Sequence, residues 1–309
     1  LTLPSRRGNT GGMTDRPVVL CIGAVLWDVI GRAPLHLRLG SDVPGRIVRL
    51  PGGVAMNIAM TLARFGLRPE LLTVVGRDPE GEELLARAAA LGCGTDFAYR
   101  SEDLPTDRYM AIEGAGGLVA AIADAHSLEQ AGGRILAPLS DGRLATEAAP
   151  WAGPVALDGN LTEQLLAEIA ASPLFAAADL RVAPASPGKA ERLLALLGHP
   201  RATLYVNLEE AGLLCHDRFE DAATAARALV ERGAARALVT DGGRTASEAT
   251  ADRCLTAHPP EVLVTRVTGA GDTFMAAHVA SELAGRAPQE ALERALTAAA
   301  AYVSGDTPT

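Results

Sequence analysis

The second half of the chain alternates short apolar runs with longer helix-forming segments, and this alternation limits the folds open to it more than any other feature. The run 155–157 precedes the helical segment 163–171, 180–183 precedes 189–197, 203–207 precedes 224–232, and 237–240 follows in its turn. A helix between two strands carries the chain back across the sheet, so such strands pair in parallel and need helices over both faces. The expectation is an α/β fold with a mostly parallel central sheet. In such a sheet, ligand-binding groups collect where the strands end in their carboxyl termini.

The first half starts the same way and then departs from it. The apolar run 18–22 leads through Gly23 toward Asp28, which the strand end should direct into a site. Residues 31–50 change to short alternating pieces broken by Pro34, Gly40, Pro44 and Gly45. Alternation returns between 96 and 124, where 108–113 and 118–123 flank a glycine-rich turn and read as a hairpin. These pieces should form a small antiparallel sheet, a lid, set apart from the main one. Its open edges could pair with a second copy, which gives an expected homodimer through the lid. Between the two lid segments, Gly52 and Gly53 open an amphipathic helix ending at Gly66, with Asn57 placed in its first turns to bond a hydroxyl. A strand at 71–75 and a helix at 82–91 follow. Residues 1–14 are polar and aperiodic and are expected to be a disordered arm.

The chemistry is expected near the end of the chain. A β-branched run at 261–265 reads as a strand, and Gly269-Ala270-Gly271-Asp272 then opens an Ala-rich helix reaching about Leu283. Small residues at a helix start let backbone N–H groups converge on an anion, and the helix dipole adds to that field. Asp272 would repel a bound phosphate, so it reads as a base for a neutral hydroxyl rather than as a phosphate ligand.

Composition narrows the partners. A net charge of -9 argues against a broad nucleic-acid or membrane surface and suits a small-molecule substrate. The four cysteines show no metal-ligand spacing and read as reduced thiols of a soluble, cytoplasmic protein. Taken singly, Glu210, Lys189 and His258 are ordinary solvated side chains, and Trp27, Met56 and Met110 are packing residues.

Two glycine-opened helices with a lid between them resemble the ribokinase or PfkB family of carbohydrate and nucleoside kinases over most of the chain. That resemblance implies a three-layer ribokinase-like sandwich over 15–309, with lid segments near 31–50 and 96–124. It implies that Asp272 is the catalytic base and that the amides of Gly269, Ala270, Gly271 and Asp272 form the anion hole. Asp28, Gly52, Gly53 and Asn57 match the family's sugar contacts. Asn207-Leu208-Glu209-Glu210 is similar to its N-x-x-E motif, which implies that Glu210 and Asn207 organise Mg²⁺ and its waters near the ATP triphosphate, while Thr240 and Gly242 line the nucleotide. Gly52 to Asn57, Tyr109 to Asp124 and Asp158-Gly159-Asn160-Leu161 are most similar to the pseudouridine kinases, which phosphorylate a ribose 5′-hydroxyl. Arg266 and Val267 stand where the family usually has D-T/S, and Thr245 where glycine is common. The monovalent-cation site that the aspartate helps build in several members is therefore doubtful. Two other classes remain open. A dinucleotide-binding oxidoreductase would want an early G-x-G-x-x-G, which residues 23–28 do not supply. A ligand-binding pseudokinase is motivated by Arg266 and Thr245.

Overall fold

A computed structural model of the chain describes residues 17–38, 40 and 42–306. The expected N-terminal arm lies outside the described residues. Strand β1 (Val18–Ile22) opens the main sheet, and the chain leaves it for β2 (Leu26–Arg32) and β3 (Arg46–Gly52). Helix α1 (Val54–Arg64) brings it back as β4 (Arg68–Leu72). Then come β5 (Val74–Gly76), α2 (Pro79–Ala90), β6 (Tyr99–Ser101) and the hairpin β7 (Arg108–Gly114) and β8 (Gly117–Asp124). Short helices α3 (Ser127–Ala131) and α4 (Ala137–Ser140) flank a 3-10 turn at Gly132–Leu136.

The βα series follows as β9 (Pro154–Asp158), α5 (Glu163–Ala171), β10 (Asp179–Ala183) and a 3-10 helix at Pro187–Leu196. It continues through β11 (Ala202–Asn207), α6 (Leu208–Cys215), α7 (Ala222–Glu231) and β12 (Arg236–Thr240). The antiparallel strands β13 (Ala246–Thr250) and β14 (Cys254–Ala257) and the helices α8 (Ala270–Leu283) and α9 (Pro288–Ser304) complete it.

The eight-stranded sheet runs β14-β13-β12-β11-β10-β9-β1-β4, parallel from β12 to β4. Because side chains alternate along a strand, each strand feeds two cores. Leu20, Ile22, Leu157, Val182 and Leu204 pack into the layer with α5, α6 and α7. Val19, Cys21, Ala156, Tyr205 and Leu238 pack on the opposite face against α1, α8 and α9. Each fully buried Leu or Ile contributes roughly 1.5–3 kcal/mol. Helix α8 is buried from Thr273 to Ser281, so its axis is fixed by neighbours on nearly every side.

The small sheet has the order β3-β2-β7-β8, with β2 and β7 parallel and the outer pairs antiparallel. Strand β8 is exposed along its whole length, Leu118, Val119 and Ile122 included.

Several sequence expectations need correction. Residues 261–264 form no strand; Leu263 is 81% exposed, and Thr265 donates instead to the Val303 carbonyl at the end of α9. Propensity gave way there to tertiary context, since the Thr265 and Arg266 N–H groups bond the end of α9 rather than a strand of the sheet. The expected strand at 71–75 is split at Thr73 into β4 and β5, which pair with different partners. The segment 189–197 winds as part of a 3-10 helix. Helix α2 starts earlier than 82 because Asp78 caps it, accepting from the Gly81 N–H at 2.7 Å, and Pro79 fits the first helical position. Asp28 lies inside β2, opposite Leu50 and Tyr109, rather than in a turn after β1.

Candidate active site

The N-terminus of α8 opens on a glycine and carries no side-chain cap. Gly269 has φ 86°, and a Cβ there would lie 2.6 Å from the Tyr302 hydroxyl, so only glycine fits without displacement. The Ala270 N–H donates to the Val267 carbonyl at 3.1 Å, which removes it from the four-amide hole expected from the sequence. Among the described residues, the Gly271 and Asp272 N–H groups have no acceptor, and Gly271 is exposed. Unpaired amides at the positive end of a helix dipole make a ready phosphate cradle.

Helix α1 meets α8 at this point. The Asn57 amide nitrogen donates to Asp272 Oδ2 at 2.8 Å, joining the two glycine-opened helices through their polar residues. Both glycines before α1 are required by close approach. A Cβ on Gly52 would overlap the Asp28 carboxyl, and one on Gly53, at φ 95°, would overlap the Ala24 carbonyl. Asp28, Gly52, Gly53, Asn57 and Asp272 therefore share one corner, between the small sheet and the carboxyl ends of the main strands.

The electrostatics follow from crowding. Burial pushes the Asp272 carboxyl up to about 7; the Asn57 hydrogen bond opposes this, while the charges of Asp158, Glu210 and Asp28 add to it. Burial likewise raises Asp28 to about 6. Such values suit a base that gains and loses a proton near neutral pH.

Asp158 was noted in the sequence only as part of the Asp158-Gly159-Asn160-Leu161 stretch and was given no role of its own, although its setting at a strand end was a usable signal. It is fully buried at the end of β9, accepting from the Ala24 N–H at 2.8 Å and the Asn160 N–H at 2.7 Å. It ties β9 to the loop after β1. Lys189 is half-buried, with its Nζ donating to Asn160 Oδ1 at 2.7 Å, rather than solvated as its sequence setting suggests. His258 remains an exposed loop residue.

The second group of expected residues occupies the neighbouring strand ends. Asn207 closes β11 in register with Thr240 of β12, and Gly242 turns the chain just beyond at φ 54°. Asn207 Oδ1 accepts from the Glu210 N–H at 2.9 Å, and Glu210 Oε2 accepts from the Asn207 N–H at 2.8 Å. This reciprocal capping box starts α6 and fixes the Glu210 carboxyl, which burial raises above its usual range. Among the described residues, no group of three or more His, Cys, Asp or Glu side chains could enclose a metal. One fixed carboxylate beside an anion cradle fits Mg²⁺, which is held largely by phosphate oxygens and water.

A family model described as pfkB family carbohydrate kinase matches residues 17–307. The chain belongs to the pfkB family of carbohydrate kinases. Two relatives from Escherichia coli (strain K12) are each 30% identical to it. The protein named uncharacterized sugar kinase YeiI aligns over 96% of this chain and 82% of its own length, and pseudouridine kinase over 85% and 83%. The solved carbohydrate kinase from Agrobacterium tumefaciens superposes with a TM-score of 0.78 at 25% identity, covering 95% of this chain and 94% of that one.

As a pfkB kinase, the chain is a phosphotransferase with a hydroxyl acceptor and has the ribokinase-like α/β fold. Among the described residues, no helix is long and apolar enough to cross a membrane. In this pfkB kinase, Arg266, which departs from the family pattern, lies with its guanidinium 3.9 Å from the centre of the Tyr302 ring. Its Nε donates to the Tyr302 carbonyl at 2.7 Å. Tyr302 in turn donates to the Thr268 carbonyl at 2.9 Å, so the loop before the anion cradle is strapped to the end of α9.

Proposed function

We propose that the protein transfers the γ-phosphoryl group of ATP to the ribose 5′-hydroxyl of a nucleoside, pseudouridine above others. The observation that carries this reading is the Asp272 carboxyl, hydrogen-bonded to Asn57 and set beside two open amides. The nucleoside assignment is supported by the 30% identity to a protein named pseudouridine kinase.

In this reading Asp28 and Asn57 hold ribose hydroxyls under the lid sheet. Asp272 takes the 5′-hydroxyl proton as that oxygen attacks the γ-phosphorus and the bond to the β-phosphate oxygen breaks. The Gly271 and Asp272 N–H groups and the α8 dipole hold the charge on the moving phosphoryl group. Asn207, Thr240 and Gly242 line the nucleotide, and Glu210 would hold Mg²⁺, which supplies charge neutralisation on the phosphates. The test is a panel with ATP and pseudouridine, uridine, ribose or fructose as acceptor. Pseudouridine should give the highest kcat/KM, and a free sugar exceeding it would refute the nucleoside assignment.

The pH dependence has a definite sign. Asp272 must be ionised to accept a proton, so with its carboxyl near 7, kcat/KM should fall about tenfold per pH unit below that value and level off above it. A profile flat from about pH 5.5 to 8 would exclude this base.

A homodimer through the lid belongs to the same reading. The exposed Leu118 and Ile122 on β8 and Ile47 on β3 are apolar groups on a small sheet with open edges. Ile122→Glu should convert a dimer to a monomer by light scattering. A wild-type chain that is monomeric at working concentration would contradict it.

A further inference from the structure

We propose that an arginine-lined cleft at the foot of the lid hairpin is a second binding site, for a small phosphate ester that carries a ring. The cleft has a volume of about 270 Å³ and is lined by Arg77, Arg100, Arg134, Arg143, Phe97 and Tyr99, together with small apolar residues and no carboxylate. In a chain of net charge -9, four arginines around one cavity are a local reversal of sign. It would exist whichever hydroxyl compound the catalytic cleft phosphorylates, because none of these residues belongs to that cleft.

The arginines have acidic partners: Asp141 accepts from Arg143 Nε at 2.9 Å and Nη2 at 2.7 Å with 40% of its side chain exposed, and the other three stand in solvent on the rim. Glu82, Glu102 and Asp103 pair with Arg100, Arg77 and Arg134, with 68%, 80% and 72% of their side chains exposed. Such exposed pairs are weak and yield readily to a competing anion. Arg100 is the exception to easy solvation. Its Nη2 donates to the Gly76 carbonyl at 3.0 Å and to Glu82 at 2.6 Å, while its Nε is buried without a partner among the described residues. That Nε is closed to solvent, so an acceptor reaches it only if the side chain shifts, but phosphate oxygens match the guanidinium forks that line the cleft in pairs.

Arg134 is held ready. It lies 5.1 Å from the Tyr99 ring centre and donates to the Tyr99 hydroxyl at 3.1 Å and to the carbonyls of Ala131 and Gln130. Phe97 and Tyr99 add aromatic surface that inorganic phosphate would not use but a sugar or base would.

The location gives the site a consequence. Arg100 sits on β6, immediately before the segment that enters β7, and Arg134 sits on the turn after α3, just past the end of β8. Asp107 already joins the two ends by accepting from the Ser127 and Leu128 N–H groups at 3.0 and 3.4 Å. A ligand bridging Arg100 and Arg134 therefore braces both ends of the hairpin, in the sheet whose β2 carries Asp28. Its occupancy should change the KM for the acceptor several-fold.

The test is calorimetric titration of the full chain with uridine 5′-monophosphate, ribose 5-phosphate and inorganic phosphate. The wild type should bind the nucleotide at two classes of site and Arg134→Gln/Arg143→Gln at one, with the effector-free acceptor KM unchanged within about twofold. Arg143→Gln alone, at the exposed rim, should weaken the second site several-fold, which keeps the result readable if the double variant misfolds. The same number and affinity of sites in the wild type and in the variants would overturn the proposal, whereas one site in the wild type that the variants lose would count against the nucleoside reading alone. Inorganic phosphate binding as tightly as the nucleotide would overturn the assignment to a ring-bearing ester.

Discussion

Asp272→Asn should lower turnover by about two to four orders of magnitude while making the protein more stable at pH 8. The loss is the general-base contribution, since asparagine keeps the shape and the contact with Asn57 but cannot take the hydroxyl proton. The gain follows from the raised carboxyl. Its value of about 7 in the folded chain lies above the ordinary 3.8, so the stability linked to it is complete below about pH 4. That stability is lost as pH rises to about 7, where the buried charge forms. At pH 8 the wild type carries the whole penalty and the neutral variant does not. The full shift would correspond to roughly 4 kcal/mol, and about 2 kcal/mol is expected because the residue is only partly buried. Thermal melts and steady-state rates on the same preparations check both halves. A variant with near-wild-type turnover would reject the base, and one less stable than wild type would reject the electrostatic account of the site.

The second large effect lies at the other end of α8. Glu248, on β13, has a fully buried side chain that accepts from Arg253 at 2.8 Å and pairs with Arg236 at 3.0 Å and with His278 of α8 at 3.4 Å. Glu282 of α8 joins the same group through Arg181 at 2.5 Å and Arg236 at 2.7 Å. Burial alone would raise the Glu248 carboxyl, but the hydrogen bonds from His278 and Arg236 hold it well below its usual range. Glu248→Ala would leave Arg236 buried with less compensation, at an expected cost of about 3–5 kcal/mol in urea unfolding. A cost under about 1 kcal/mol would show that the cluster does not anchor the helix. Because this carboxyl is depressed in the folded state, its stabilisation is present above the ordinary glutamate value. It is lost as pH falls below about 4.

These two predictions also mark where the sequence was and was not readable. Strands such as 18–22 and 155–157 were legible because a parallel strand buried on both faces must be apolar throughout, and the 108–123 hairpin because its turn needs glycine. The glycine-opened start of α8 was legible because Gly269 and Gly271 stand directly before and within its first turn. Arg181, Tyr205, Glu248 and His278 were not legible. A charged residue in a strand reads as solvent-facing until a partner, 73 positions away for Tyr205 and His278, is known to meet it. Asp158 was hidden for the same reason, since its acceptor role depends on Ala24, 134 positions earlier. The run 261–265 misled in the opposite direction, because β-branched residues promise a strand only where the chain is carried alongside another strand, and here it bonds the end of α9.

The central claim is tested most directly by a crystal structure with pseudouridine and a non-hydrolysable ATP analogue bound. The account predicts the 5′-hydroxyl within about 3 Å of an Asp272 carboxyl oxygen, and the γ-phosphate against the Gly271 and Asp272 N–H groups. An acceptor hydroxyl facing another residue, with the Asp272 carboxyl turned away from it, would contradict the account.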